Sequence, residues 1–274
     1  MTPLPNPRLF RCRDARGAVY DHGAHVVDWT PAGQSPVLWM SAASCFDSQS
    51  PIRGGIPICW PWFGAARTPA HGFARLTNWD LVQVDADDTA ITARYVLDGE
   101  TCGFEHHCRL SYDVSFGSRF SATLTVANTD TGPFAFEAAL HTYLAVGDAR
   151  RVVITGLDGA SYLDRAPGGA AGSHTQSGDL RISAETDRIY RTTAGIDVID
   201  PVLQRRIRVA RTGSADAVVW NPWVDKSRAM ADFGDDEWTS MLCVETCNAG
   251  DDAVTLSPGQ SHAMTCVLTV DPIA

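Results

Sequence analysis

Apolar and polar residues alternate with a period of two through much of the chain. Over residues 120–126, Phe120, Ala122, Leu124 and Val126 are interleaved with Ser121, Thr123 and Thr125. Cys108, Leu110, Tyr112 and Val114 alternate with Arg109, Ser111 and Asp113, and Met264, Cys266, Leu268 and Val270 repeat the pattern after His262. Successive side chains of a strand point to opposite faces, so each run predicts a strand with one buried face. Turn-forming stretches separate the runs: DADD at 85–88, LDGE at 97–100 and ANTDTGP at 127–133. Helical patterning is confined to short pieces near 226–232 and 235–241. The pattern predicts an all-β protein: a large antiparallel β-sandwich of two packed sheets, forming one domain over 1–274. The Gly-, Ser- and Ala-rich stretch 166–179 reads as a mobile surface loop of that domain.

Charge narrows the partners. A net charge of -10 disfavours nonspecific binding to nucleic acid or to an anionic membrane. It also requires that any anionic ligand find a local cationic pocket. No apolar run approaches the roughly 20 residues of a membrane span, and the first residues, MTPLPNPRLFRCRDARG, lack the apolar core of a signal peptide. A cytoplasmic monomer is expected. The eight cysteines, with no CxxC pair among them, read as reduced packing residues rather than disulfides or zinc ligands. Glu105, His106 and His107 also make a poor metal site, because adjacent residues of a strand face opposite ways.

Several residues depart from the packing pattern in ways that point to chemistry. Glu245 lies in MLCVETCNA among Met241, Leu242, Cys243, Val244 and Cys247. A carboxylate in such surroundings loses solvation, its proton affinity rises, and it becomes a base that works near neutral pH. The competing reading is one half of a structural ion pair, which would lower its pKa. His141, in FEAALHTYLAVGD, shares a strand face with Ala135, Glu137, Ala139 and Tyr143, opposite the bulky face of Phe134, Phe136, Ala138 and Leu140. Small and polar neighbours leave room for a ligand there, although a hydrogen-bonded histidine on a sheet surface fits the same pattern. Arg53 precedes Gly54 and Gly55, and Arg75 ends HGFAR. A fixed guanidinium can take a phosphate bidentately, and Trp60, Trp62 and Phe63 can stack on the apolar face of a sugar ring. A surface salt bridge is the other fate open to each arginine. The chain carries no Walker A, GxGxxG or GxSxG motif.

Six segments, in the order IRGGIPICWPWFG, HGFAR, ALHTYLAVGD, ETDRIY, VVWNPWVDKSRAMADF and MLCVETCNA, together resemble the hexose-6-phosphate branch of the aldose 1-epimerase family. The resemblance runs from about Pro51 to Asn248. It implies a galactose-mutarotase-like sandwich without cofactor or metal. It implies catalytic roles for His141 and Glu245, and substrate binding by Arg53, Arg75, Asp187 and His71, the two arginines at the phosphate. Ala70 stands where the family often has Gln, which removes one polar contact. The expected reaction interconverts the α and β anomers of a hexose 6-phosphate, such as glucose 6-phosphate, by acid–base ring opening. An epimerase of unphosphorylated aldoses and a noncatalytic sugar-phosphate-binding protein are the competing readings.

Overall fold

The computed structural model describes residues 2–273. Two eight-stranded antiparallel sheets dominate the described residues. In one, Val153–Thr155, Ile196–Asp200, Arg205–Thr212, Ser261–Pro272, Phe120–Asn128, Cys108–Phe116, Ile91–Asp98 and Asp80–Ala86 lie side by side in that order. In the other, the order is Ser173–Thr175, Ser161–Asp164, Thr186–Arg191, Asp216–Asn221, Met241–Asn248, Ala138–Leu140 and Ile58–Cys59, with Tyr143–Ala145 also paired to Met241–Asn248. A three-stranded sheet (Arg8–Arg11, Ala15–Tyr20, His25–Pro31) and a two-stranded one complete the fold. Among the described residues, no helix is long and apolar enough to cross a membrane.

The alternation read from the sequence is the packing rule of the sandwich. Leu110, Tyr112, Val114, Leu124, Val126 and Leu268 of the first sheet join one core with Leu140, Ala217, Val219, Leu242 and Val244 of the second. Each such aliphatic side chain contributes about 1.5–3 kcal/mol when fully buried. The opposite face of the second sheet is also covered. There Ala139, Tyr143, Val218, Trp220, Cys243 and Cys247 pack with Trp39, Phe233 and Trp238. Every residue of Met241–Asn248 is therefore buried, and Glu245 sits at its centre on this second face.

The structure revises several local expectations. The run around His141 is three strands, not one: Phe134–Phe136 pairs with Val254–Leu256 outside the large sheets, and His141 lies between Ala138–Leu140 and Tyr143–Ala145. The first helix spans Trp223–Ala229 and ends short of Asp232, and a 3-10 turn covers Glu237–Ser240. Within 166–179, Ser173–Thr175 forms an edge strand on Ser161–Asp164. Glu105, His106 and His107 precede a strand rather than occupy it; His106 meets Asp130 at 3.2 Å and His107 pairs with Glu100. Trp60 is buried in the core against Phe104 and is not free to stack on a ligand.

Candidate active site

Strand register places His141 directly opposite Glu245. Leu140 pairs with Thr246 and Tyr143 with Cys243, so the residues between them face each other across the same two strands. Opposed residues have Cβ atoms about 5 Å apart, and here Nε2 of His141 stands 3.3 Å from Oε1 of Glu245. Glu245 is 1% exposed and His141 8%. The other carboxylate oxygen of Glu245 is buried and has no protein partner among the described residues.

Burial pushes the Glu245 carboxyl well above its ordinary range, and nearby Asp187 adds to the rise. Burial pushes His141 well below its ordinary value, followed by the effects of His71, Arg53 and Arg75. Both shifts favour the uncharged forms, a carboxylic acid beside a neutral imidazole. The structural ion pair weighed against a catalytic Glu245 would have shifted the carboxyl the other way. The thiol of Cys243 joins the pair, its Sγ and one atom from each of the other two lying within 4.8 Å of one another. Such a nitrogen, oxygen and sulfur set suits a transition-metal ion, but burial raises this thiol well above its ordinary pKa, and a metal would have to displace its proton.

The surrounding ring is built by two tight segments. The first carries Arg53 ahead of Gly54 and Gly55. Gly55 has φ +61°, and a Cβ there would stand 2.1 Å from the carbonyl oxygen of Val26, so the backbone passes where only glycine fits. The half-buried Arg53 donates to the hydroxyl of Tyr143 at 2.8 Å and pairs with Asp232 at 3.0 Å. Burial works against its charge, but Tyr143 and Asp232 outweigh it and hold the guanidinium above its ordinary pKa. The ring of Tyr143 in turn stacks on His141, centroids 4.7 Å apart.

The second segment carries His71 and Arg75. Gly72, at φ +75°, lies against Trp60, where a Cβ would stand 2.0 Å from the Trp60 carbonyl oxygen. Trp60 donates to the carbonyl of His71 and accepts from the N–H of Phe73. This zipper sets the His71 ring edge-on to His141, centroids 5.7 Å apart, and edge-on to Phe63 at 5.0 Å. Burial lowers His71 to about 3, with Arg75, Arg53 and Arg165 adding to the effect. Arg75 is buried and donates to the carbonyl of Ala70 at 2.7 Å, while its Nε has no protein partner among the described residues.

Asp187 reaches the same face from Thr186–Arg191. It pairs in register with Trp220, which pairs with Cys243, so it stands two strands away from the Glu245 strand. Burial raises its pKa, against the opposing pull of Lys226 and Arg165. The structure thus gathers Arg53, His71, Arg75, His141, Asp187 and Glu245 around one face. It adds Tyr143, Asp232 and Arg165, to which the sequence reading gave no role. Only Tyr143 had a signal, its place two residues after His141 on the same face. A cavity of about 560 Å³ has Phe63, Arg165 and Ile189 in its wall and reaches the site through Phe63, which meets the His71 ring; His141 and Glu245 do not line it.

This is a sheet-borne pair of carboxyl and imidazole groups ringed by arginines. The family model described as aldose 1-epimerase matches residues 13–269. A protein of Escherichia coli (strain K12), provisionally named glucose-6-phosphate 1-epimerase, is 37% identical over 235 residues, covering 84% of this chain and 78% of that protein. One of the same provisional name from Cenchrus ciliaris is 32% identical over 279 residues, covering 96% and 84%. The crystal structure of a provisionally assigned mutarotase from Salmonella typhimurium superposes with a TM-score of 0.89 at 28% identity, covering 98% of this chain and 97% of that one. The chain belongs to the aldose 1-epimerase family.

Proposed function

We propose that the protein interconverts the α and β anomers of hexose 6-phosphates, glucose 6-phosphate among them, by opening and reclosing the sugar ring. The observation that carries this reading is the buried contact of 3.3 Å between His141 and Glu245 in a ring of arginines. Proton transfer from the Glu245 carboxyl to Nε2 of His141 gives the carboxylate and imidazolium that the reaction uses. A dianionic phosphate at Arg53 and Arg75 lowers the cost of that transfer, because both guanidinium groups oppose a proton on His141.

Glu245 then takes the proton of the anomeric hydroxyl. The C1–O5 bond breaks, C1=O1 forms, and His141 delivers its proton to the ring oxygen. Rotation about C1–C2 presents the other carbonyl face. In closure, His141 takes the proton back from the C5 hydroxyl as O5 attacks C1, and Glu245 returns its proton to O1. No electrons change hands and no group is transferred. Arg53 and Arg75 hold the nonreacting phosphate, whose binding energy orients the ring, and His71, Phe63 and Asp187 border the sugar. The names of the E. coli and Cenchrus relatives support the phosphorylated substrate.

The test is anomer exchange followed by two-dimensional NMR, with glucose 6-phosphate and glucose compared. Acceleration confined to the phosphorylated sugar is expected, and His141→Ala and Glu245→Gln are each expected to lower kcat by about 10²–10⁴-fold. Equal acceleration of both sugars would discard the phosphate site and favour an epimerase of free aldoses. Binding without exchange, or full activity in both variants, would overturn the mechanism.

A further inference from the structure

Arg165 differs from the other arginines of the site in being uncommitted. Its backbone N–H donates to the carbonyl of Asp187 at 2.7 Å, which fixes the residue after Ser161–Asp164 to the strand that carries Asp187. From there its guanidinium reaches Gly64: a Cβ on that glycine would stand 3.5 Å from Nη2 and 3.9 Å from Nη1. Gly64 is bonded twice to His71, donating its N–H to Nδ1 at 3.3 Å and accepting from the His71 N–H at 2.8 Å. The guanidinium therefore stands one residue from His71, in the wall of the cavity that Phe63 and Ile189 also line. It is exposed, and among the described residues it makes no side-chain hydrogen bond or ion pair.

The charge balance of the site gives this cation a use. Asp232 neutralises Arg53. Arg75 contributes one positive charge and Asp187 one negative. A phosphate monoester brings about -1.5 to -2 at neutral pH, and the chain as a whole carries -10. Arg53 and Arg75 alone leave that dianion undercompensated. Resting on the hexose 6-phosphate reading above, we propose that Arg165 is a further substrate-positioning residue, the third cation that holds the phosphate. Two features support a binding role rather than a structural one: among the described residues the side chain has no hydrogen bond or ion pair to lose, and the Gly64 surface beneath it leaves room at the guanidinium edge.

The experiment compares wild type, Arg165→Ala and Arg165→Lys by NMR anomer exchange and by calorimetric titration with glucose 6-phosphate. Charge-assisted hydrogen bonds to phosphate predict about a tenfold or greater rise in KM and Kd for Arg165→Ala. The expected kcat is near that of wild type, Tm is unchanged, and Arg165→Lys recovers part of the affinity. An unchanged KM overturns the proposal. So does a loss of equal size with glucose, which would make Arg165 a hydroxyl contact, or a fall in Tm that accounts for the effect. If wild type shows no exchange, the epimerase reading falls, and the titration decides Arg165 separately: weaker binding by Arg165→Ala sustains it, and equal or absent binding sinks it.

Discussion

At the scale of the residue, Glu245 is a group that the fold prefers uncharged and that the proposed reaction needs charged. Its folded pKa lies above the unfolded value of about 4.3. Below that pH both states are protonated and the residue costs nothing. As pH rises, the unfolded chain ionises first, and folding loses about 1.4 kcal/mol per pH unit until the folded pKa is passed. Glu245→Gln never ionises. The Tm of the variant minus that of wild type should therefore grow as pH rises from 4.5 to 8. A gap that shrinks over that range would mean a carboxylate stabilised by an ion pair. The carboxylic acid beside a neutral imidazole and the carboxylate beside an imidazolium hold the same single proton, so the raised pKa places the alkaline limb of kcat/KM, where that proton is lost, above the ordinary carboxylate range. Glu245 was legible in the sequence because a charge in an apolar strand is a physical anomaly, and His141 because it shared a strand face with small and polar residues that leave room for a ligand. Trp60 was misread because aromatic residues carry no mark that separates a core ring from a stacking platform. Asp232 left no signal at all, since its partner Arg53 lies 179 positions away.

At the scale of the element, the site depends on short segments held at exact spacing by backbone hydrogen bonds. The clearest is His71 to Arg75, whose Gly72 is pressed against the carbonyl of Trp60. Gly72→Ala adds a methyl group at 2.0 Å from that oxygen and must also hold φ at +75°. Left-handed backbone costs about 1–2 kcal/mol for a residue with a Cβ, and overpacking about 1–3 more. The variant is expected to lose a few degrees or more of Tm. It should also show a higher KM for glucose 6-phosphate, because His71 and Arg75 both ride on the segment. Unchanged values of both would show that the backbone can shift without moving the site. Alternation revealed the long strands here, since period two is a direct record of two faces. It could not reveal the break at His141. Both pieces keep one register against Met241–Asn248, and between them the N–H of Val244 still donates to the carbonyl of Thr142, so the sequence pattern runs through the break. Nor could it find Ser173–Thr175, a three-residue strand whose pairing with Ser161–Asp164 comes from its neighbour rather than its own composition.

At the scale of the whole molecule, the two sheets and the N-terminal sheet must be fixed to one another, and Arg205 does this at a single point. It opens the strand Arg205–Thr212 in the sheet opposite the site and is 1% exposed. Its guanidinium donates to the carbonyls of Ser35 and Pro36, beyond the N-terminal sheet, and to that of Ala145, in the sheet that carries Glu245, at 3.1, 3.0 and 2.7 Å. Burial lowers its pKa, with Asp200 opposing, yet a guanidinium keeps its proton in proteins. A buried charge of this kind is retained only where its hydrogen bonds are made. Arg205→Met keeps the length of the stem and leaves three carbonyls without their donor. With charged hydrogen bonds worth about 1.5–3 kcal/mol each, partly offset by the removal of a buried charge, a net loss of about 3 kcal/mol is expected. That corresponds to a fall in Tm of about 5–10 °C for a domain of this size. His141 and Glu245 lie outside the strand Arg205–Thr212, so kcat of the folded variant at 25 °C should stay within about twofold of wild type by the independence of distant sites. Thermal unfolding and NMR anomer exchange on the same sample check both halves. A large fall in kcat at unchanged Tm would mean that Arg205, through Ala145, sets the position of Tyr143 and Arg53 rather than the stability of the sandwich.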